Sequence, residues 1–373
     1  MKDLRKKLLK KVKRVVVKVG SAVVAGRGGV TIYTRLASDI SGLKDTGIDA
    51  VIVSSGAIAL GMKRLGMKSR PAGIPERQAV AAVGQGRLMA HYDRAFSRFG
   101  LKTAQVLLTH GDFSDRKRFL NARNALFTLL KMGIVPVINE NDTVAVDELK
   151  LGDNDELSAL TTNLVEADLL VILTDIDGLY DRDPSANHDA KKIGLVEDVD
   201  ALELDALCGP AGSLGTGGMR SKCEAARKAA HFGAATIIAH GFTPKVLKKL
   251  FAFEDIGTLV MPREDRLKSR KHWLAFSTRP AGSLYVDDGA KEALLKKGKS
   301  LLPSGIKKID GTFEAGSVVL CVDLSGMKFA RGVVNYSSVE LNRIKGFKTA
   351  EIETLLGYKV YDEVIHRDNF VAL

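Results

Sequence analysis

Residues 15–23 read VVVKVGSAV and residues 169–178 read LLVILTDIDG. Each opens on a short, nearly unbroken run of Val, Ile and Leu and closes on small or polar residues. A strand with one wet face would alternate apolar and polar side chains. A run without alternation fits a strand buried on both faces, as in a parallel sheet covered by helices. The same texture recurs at AVIV (50–53), TAQVLL (103–108), IVPVI (134–138) and ATIIA (235–239). Helical spacing fills intervals at 31–44, 77–98, 119–132 and 156–166. The predicted fold class is therefore α/β, an αβα sandwich with a mainly parallel central sheet over residues 1–260.

The texture changes near residue 260. MPREDRLKSRKHW (261–273) is charged and holds the only tryptophan, so 261–278 is read as a linker. Beyond it, SLYVDD, SVVLCVD and FARGVVNY are short β-like pieces broken by glycines, which predicts a small β-rich domain over 279–373.

Composition bounds the function. In 373 residues, 45% are hydrophobic and 27% charged, ordinary for a globular protein. No apolar run approaches the ~20 residues needed to span a bilayer, the first residues lack the pattern of a secretory signal, and Cys208, Cys223 and Cys321 form neither a disulfide framework nor a metal spacing. A cytoplasmic protein with no membrane contact is expected. The net charge of +12 is concentrated: residues 1–14 hold eight basic residues against one acidic, and 245–279 hold nine against four. The tail 280–373 holds thirteen against twelve, so neither domain body is strongly basic. Leu4, Leu8 and Val12 recur at helical spacing among the lysines of the basic N-terminal arm, 1–14, as in a helix that touches membrane or RNA. A solvated arm leading into the first strand is the expectation.

In parallel α/β sheets ligands sit beyond the carboxyl ends of the strands, so the residues that follow each strand carry the argument. Lys18 lies within an otherwise apolar strand, before Gly20-Ser21; it either snorkels to solvent or meets an anion such as phosphate. SSGA (54–57) opens a helix, which suits either tight packing or an anion at the helix start. Asn139, Glu140, Asn141 and Asp142 form a polar cluster at a strand end, an Asx turn or a place for a substrate ammonium. Thr174 and Asp175 follow LLVIL. In GDNDELSALTTNL (152–164), Asp153 and Glu156 read as a capping box, which leaves Asn154 and Asp155 unexplained. Finally, GTGGMRSK (215–222) runs from a glycine-rich loop into a helix. Lys222 in the first turn opposes the positive end of the macrodipole, a conflict that a bound phosphate removes. The spacing is not that of a Walker loop.

KVGS, VSSGAIALG, INENDTVA, GDND, LLTDIDGLY and GTGGMRSK, in this order, resemble the amino-acid kinase family, and within it the members that phosphorylate glutamate. The tail, with PAGSLYVDDGA and LLPSGI, resembles a PUA domain. The resemblance implies transfer of a phosphoryl group from ATP, with Mg2+, to the γ-carboxylate of L-glutamate, the first step towards proline. It also implies catalytic roles for Lys18, Lys222 and Asp155, with Asp155 holding the two lysines. Nucleotide contacts are implied for Lys18, Thr174, Asp175, Thr216, Gly217, Gly218, Met219, Arg220, Ser221 and Lys222, and substrate contacts for Ser55, Gly56, Asp142, Asp153 and Asn154. No dedicated metal ligands are implied. Proline is expected as a feedback inhibitor, with 57–77 as a mobile substrate-side loop. A homo-oligomer and channelling to a glutamyl-phosphate reductase are further implications. RNA binding by the nearly neutral tail is not expected as a main function.

Overall fold

The computed structural model describes residues 2–25, 30–144, 154–182, 184, 187–202, 218–263, 280–359 and 361–373. The chain divides into two compact units, residues 1–114 with 121–264 and residues 115–120 with 265–373.

In the first unit the strands are β1 (Arg14–Val19), β2 (Asp49–Ser54), β3 (Thr103–Leu108), β4 (Val135–Glu140), β5 (Leu169–Thr174), β6 (Leu179–Tyr180), β7 (Lys192–Ile193), β8 (Leu195–Val196), β9 (Ala235–His240) and β10 (Thr258–Val260). The helices are α1 (Lys2–Leu9), α2 (Ser21–Ala25), α3 (Val30–Asp45), α4 (Ala57–Leu65), α5 (Ile74–Ser97), α6 (His110–Ser114), α7 (Arg116–Lys131), α8 (Asn154–Leu164), α9 (Met219–His231) and α10 (Val246–Phe251). Eight strands form one sheet in the order β3-β4-β2-β1-β5-β9-β10-β8. The pairs from β3 through to β9 are all parallel, and β10 alone runs antiparallel to β9. The mainly parallel sheet is the one the unbroken apolar runs predict.

Both faces of the sheet are covered. Val15, Val17 and Val19 of β1 share a buried cluster with Leu36 and Ile40 of α3, Leu88 and Phe96 of α5 and Leu247 of α10. Successive strand residues point to opposite faces, so Val16 and Lys18 face the other way, and both are buried too. That second face lies under α8, which packs against β1, β2, β4 and β5 and against α9. The periodicity of one strand thus turns Lys18 towards the start of α8.

Two expectations are corrected. The glycine-containing stretch 57–77 is mostly helix: it forms α4 and the start of α5, with only 66–73 between them. Gly61 is there for closeness, not looseness, since a Cβ on it would stand 1.9 Å from the Val80 carbonyl oxygen. The N-terminal arm is not simply solvated. It forms α1, whose Arg5 is 2% exposed and donates to the carbonyls of Glu254 (3.1 Å) and Ile256 (2.6 Å). Leu9 and Val12 are buried beside it, while Lys6, Lys7, Lys10 and Lys11 stay exposed.

In the second unit β11 (Gly282–Val286), β12 (Ile306–Asp310), β13 (Val318–Val322), β14 (Lys328–Val333) and β15 (Phe370–Ala372) form a sheet in the order β12-β11-β13-β14-β15. Helices α11 (Asp288–Leu295), α12 (Ser338–Ile344) and α13 (Ile352–Leu356) accompany it. Leu284, Val286, Cys321, Tyr336, Leu341 and Ile365 belong to its separate core.

Candidate active site

The candidate site is built at the carboxyl ends of β1, β2, β4 and β5. Asp155, one residue into α8, is fully buried, and its carboxylate lies between two ammonium groups. Lys18 of β1 forms an ion pair with Oδ1, and Lys222 of α9 reaches Oδ2 at 3.2 Å. Both lysines are nearly buried, at 3% and 5% exposure. The Ser221 hydroxyl donates to Oδ2 at 2.8 Å. Burial alone would raise the Asp155 carboxyl, but the charges of Lys18 and Lys222 outweigh it, and the group is held below the usual carboxylate range. Pairing with both ammonium groups offsets the cost of burying this carboxylate and the two lysines.

Local sequence explains how the pieces meet. Gly20 N–H donates to the Leu173 carbonyl at 3.0 Å, which ties the chain after β1 to β5. Gly56 sits at φ 109°, where only glycine is at ease; a Cβ there would also lie 2.6 Å from a Val24 methyl. Ser55 therefore stands at the bend between β2 and α4. Gly218 precedes α9 with extended backbone and brings no side chain of its own to cap the helix beside Lys222. Lys228 of α9 and Glu156 of α8 form an ion pair that clamps the two helices together.

On the β2 and β4 side, Asn154 Nδ2 faces Ser55 Oγ (2.8 Å), the Ser54 carbonyl (3.1 Å) and Asn139 Oδ1 (3.0 Å). Asn139 Nδ2 donates in turn to Gln85 Oε1 at 2.9 Å. Asp142 lies half-buried in the turn after β4. Thr174, at the end of β5, is buried and donates to the exposed Asp175 at 2.9 Å. Met219, Arg220 and Ser221 occupy the first turn of α9, half-buried. The single Ser221 hydroxyl proton has two acceptors at 2.8 Å, Asp155 Oδ2 and the Gly218 carbonyl. Asp153, Thr216 and Gly217 lie outside the described residues, and the expected capping box at Asp153 lies there with them. Among the described residues, no group of three or more His, Cys, Asp and Glu side chains is placed to hold a metal ion.

Sequence reading passed over two side chains of this network. Asn139 was visible as part of a polar cluster but had no partner in view. Gln85 lies in mid-helix, where nothing in its neighbours signals a site.

Residues 13–240 match the amino acid kinase family, and residues 282–356 match the PUA domain. The chain belongs to the amino acid kinase family. Among its relatives in that family, the Glutamate 5-kinase of Geobacter sulfurreducens is 50% identical over 374 residues, 99% of this chain and 100% of the relative. The Glutamate 5-kinase of Geobacter metallireducens is 52% identical over the same shares of both chains. That of Caldanaerobacter subterraneus is 50% identical over 364 residues, 96% of this chain and 98% of the relative. For this amino acid kinase, similarity to full-length relatives thus includes the β-rich C-terminal unit.

Proposed function

We propose that this chain transfers the γ-phosphoryl group of ATP to the γ-carboxylate of L-glutamate, giving ADP and γ-glutamyl phosphate, the first step towards proline. The observation that carries the reading is the buried Asp155 carboxylate with Lys18 and Lys222 on its two oxygens, at the strand ends of an amino acid kinase sheet. The full-length likeness to Glutamate 5-kinases supports the choice of substrate.

The chemistry needs positioning and charge neutralisation more than covalent help. The nucleophile is a carboxylate, ionised at neutral pH with a reference pKa of about 4.3, so no general base has to remove a proton. Asp155, ion-paired to both lysines and held below the usual carboxylate range, is suited to aiming them. Lys18 and Lys222 would neutralise charge on the transferring phosphoryl group as two anions approach. The start of α9 would receive nucleotide phosphates, with Gly218, Met219, Arg220 and Ser221 around them; Thr174 and Asp175 would contact the nucleotide from the end of β5. Magnesium enters with ATP, as part of the substrate, with phosphate oxygens among its ligands. Ser55, Gly56, Asp142 and Asn154 would hold the amino acid, with the Asp142 carboxylate suited to the α-ammonium.

Further parts of the proposal rest on the family likeness. Proline inhibits by competing with glutamate at an overlapping site, and the protein works as a cytoplasmic homo-oligomer that passes its labile product to a reductase. Saturating proline that left the KM for glutamate unchanged would remove the first of these. Residues 1–260 carry the chemistry, and 279–373 serve regulation or assembly. No helix among the described residues is long and apolar enough to cross a membrane.

The test is a trapping assay with purified protein, MgATP, hydroxylamine and a panel of acids. A γ-glutamyl hydroxamate with L-glutamate, and little product with L-aspartate or N-acetylglutamate, is the expected result. Product with another acid alone would replace the substrate, and silence with all of them would remove the kinase reading.

A further inference from the structure

The side-chain amides on the β2 and β4 side form a relay whose direction can be deduced from one fixed point. The Ser54 carbonyl can only accept a hydrogen bond, so the Asn154 atom 3.1 Å from it must be the amide nitrogen. The same nitrogen lies 3.0 Å from Asn139, which must therefore present its oxygen. The nitrogen end of Asn139 then faces Gln85 at 2.9 Å, so Gln85 must present Oε1. One backbone carbonyl thus sets three amides in turn. It leaves a donor, Gln85 Nε2, at the far end of the relay. That nitrogen is buried and has no hydrogen-bond partner among the described residues.

A buried donor without an acceptor is unfavourable, and it is uncommon in a native structure unless something else supplies the acceptor. The helix makes its position hard to relax. Gly84, the residue before Gln85, is pressed against the start of α4, where a Cβ would stand 1.8 Å from the Ala57 carbonyl oxygen. The contact ties Gln85 to the bend that carries Ser55.

Distance along the sheet selects the acceptor. Lys18 is on β1, and β4 is the second strand over, beyond β2. At ~4.8 Å per strand, the Asn139 end of β4 lies roughly 10 Å from β1. An extended glutamate spans roughly 5 Å between its two carboxyl carbons, and a ~3 Å polar contact at each end bridges about that gap. With the γ-carboxylate at the lysines, the groups on the α-carbon reach towards Asn139 and Gln85. We infer that Gln85 is a specificity-determining residue whose Nε2 donates to the α-carboxylate of the bound amino acid, while its Oε1 holds Asn139 and, through it, Asn154. This deepens the reading given under Proposed function and rests on it.

Gln85→Glu separates the two roles. A glutamate side chain still accepts from Asn139 but cannot donate when ionised, and it sets an anion against the substrate carboxylate. Gln85→Leu removes both roles. The measurements are the KM for L-glutamate and for ATP, the kcat, and the ratio of kcat/KM for L-glutamate over 4-aminobutyrate, which has no α-carboxylate. Both variants should keep the KM for ATP, while Gln85→Leu, which leaves Asn139 Nδ2 without its acceptor, should also lower the unfolding midpoint. Their KM for glutamate should rise about tenfold to a hundredfold, as for loss of a hydrogen bond to a charged group, and Glu should be at least as damaging as Leu. The preference for glutamate over 4-aminobutyrate should shrink by a similar factor. A Gln85→Glu enzyme with wild-type KM for glutamate and an intact preference would overturn the inference and leave Gln85 as a support for Asn139. If Gln85→Leu unfolds, the Glu variant and its substrate preference decide. A wild-type protein that made no γ-glutamyl hydroxamate would instead overturn the function on which the inference rests. Calorimetric binding of L-glutamate to wild type and Gln85→Glu would then judge the contact itself, since equal affinity removes it.

Discussion

Two buried aspartates, one in each unit, meet lysines in opposite ways. Asp323, in the turn between β13 and β14, takes Lys291 at 2.6 Å. Its other partners are Ser325 Oγ at 2.6 Å, Ser325 N–H at 3.0 Å and Met327 N–H at 2.9 Å, within four residues of chain. One anion meets one cation, its donors are local, and the group closes a turn. Asp155 takes Lys18 from the first strand and Lys222 from 67 residues away. A carboxylate that completes its own surroundings is structural. One that gathers two cations from distant elements fixes where both of them point.

Breaking the non-local arrangement should have the larger effects. Asp155→Ala strands two buried ammonium groups; loss of one partner of a buried pair costs roughly 3–5 kcal/mol. The expected outcome is a marked fall in the urea midpoint, together with loss of hydroxamate formation. Midpoint and activity both near wild type would dissolve the contrast with Asp323. Gly84→Ala comes next. Its Cβ would meet the Ala57 carbonyl at 1.8 Å and Gly61 N at 2.5 Å, backbone atoms that cannot rotate away. Overpacking of this kind costs roughly 1–3 kcal/mol, and the shifted helix should raise the KM for glutamate more than that for ATP. Steady-state kinetics beside urea titrations would show whether both changes occur.

Asp323→Asn should be milder. It should weaken the C-terminal unit in a thermal melt and leave kcat for glutamate unchanged; a fall in kcat would give Asp323 a share in the chemistry. The smallest effect is in the acid dependence. Hydrogen bonds from Lys291, Ser325 and Met327 hold the Asp323 carboxyl below its ordinary value. Against burial, the two lysines do the same for Asp155. Each folded-state pKa lies below the unfolded one, about 3.9, so the stabilisation is present above that pH and is lost as the pH falls through the folded-state value. Unfolding free energies between pH 7 and pH 3 should therefore decline at the acid end, and Asp323→Asn should flatten part of that decline.

The same division between local and distant explains what could be read in advance. β1, β2, β4, β5 and β9 announced themselves because a strand buried on both faces needs a nearly unbroken apolar run. β8 and β10 did not: two and three residues long, they carry too little pattern, and the sheet edge alone pairs them. The expected loop at 57–77 is mostly helix because a glycine that admits a close helix contact, such as Gly61, looks in sequence like one that bends the chain. Arg5 looked like one more solvated charge, and its acceptors lie almost 250 residues later, where two backbone carbonyls wait for it. Lys18, Asp155 and Lys222 stood out because each was misplaced on local grounds. Gln85 was unremarkable locally, and only its geometry marks it.

The most direct test of the account is the kcat of Lys222→Ala in the hydroxamate assay, at saturating MgATP and L-glutamate, with a melting curve on the same sample. Removing one preorganised charge donor should lower turnover about 10²–10³-fold, roughly 3–4 kcal/mol, in a protein that still melts cooperatively. Near-normal turnover would contradict the account, because the lysine drawn to Asp155 would then be packing and not chemistry.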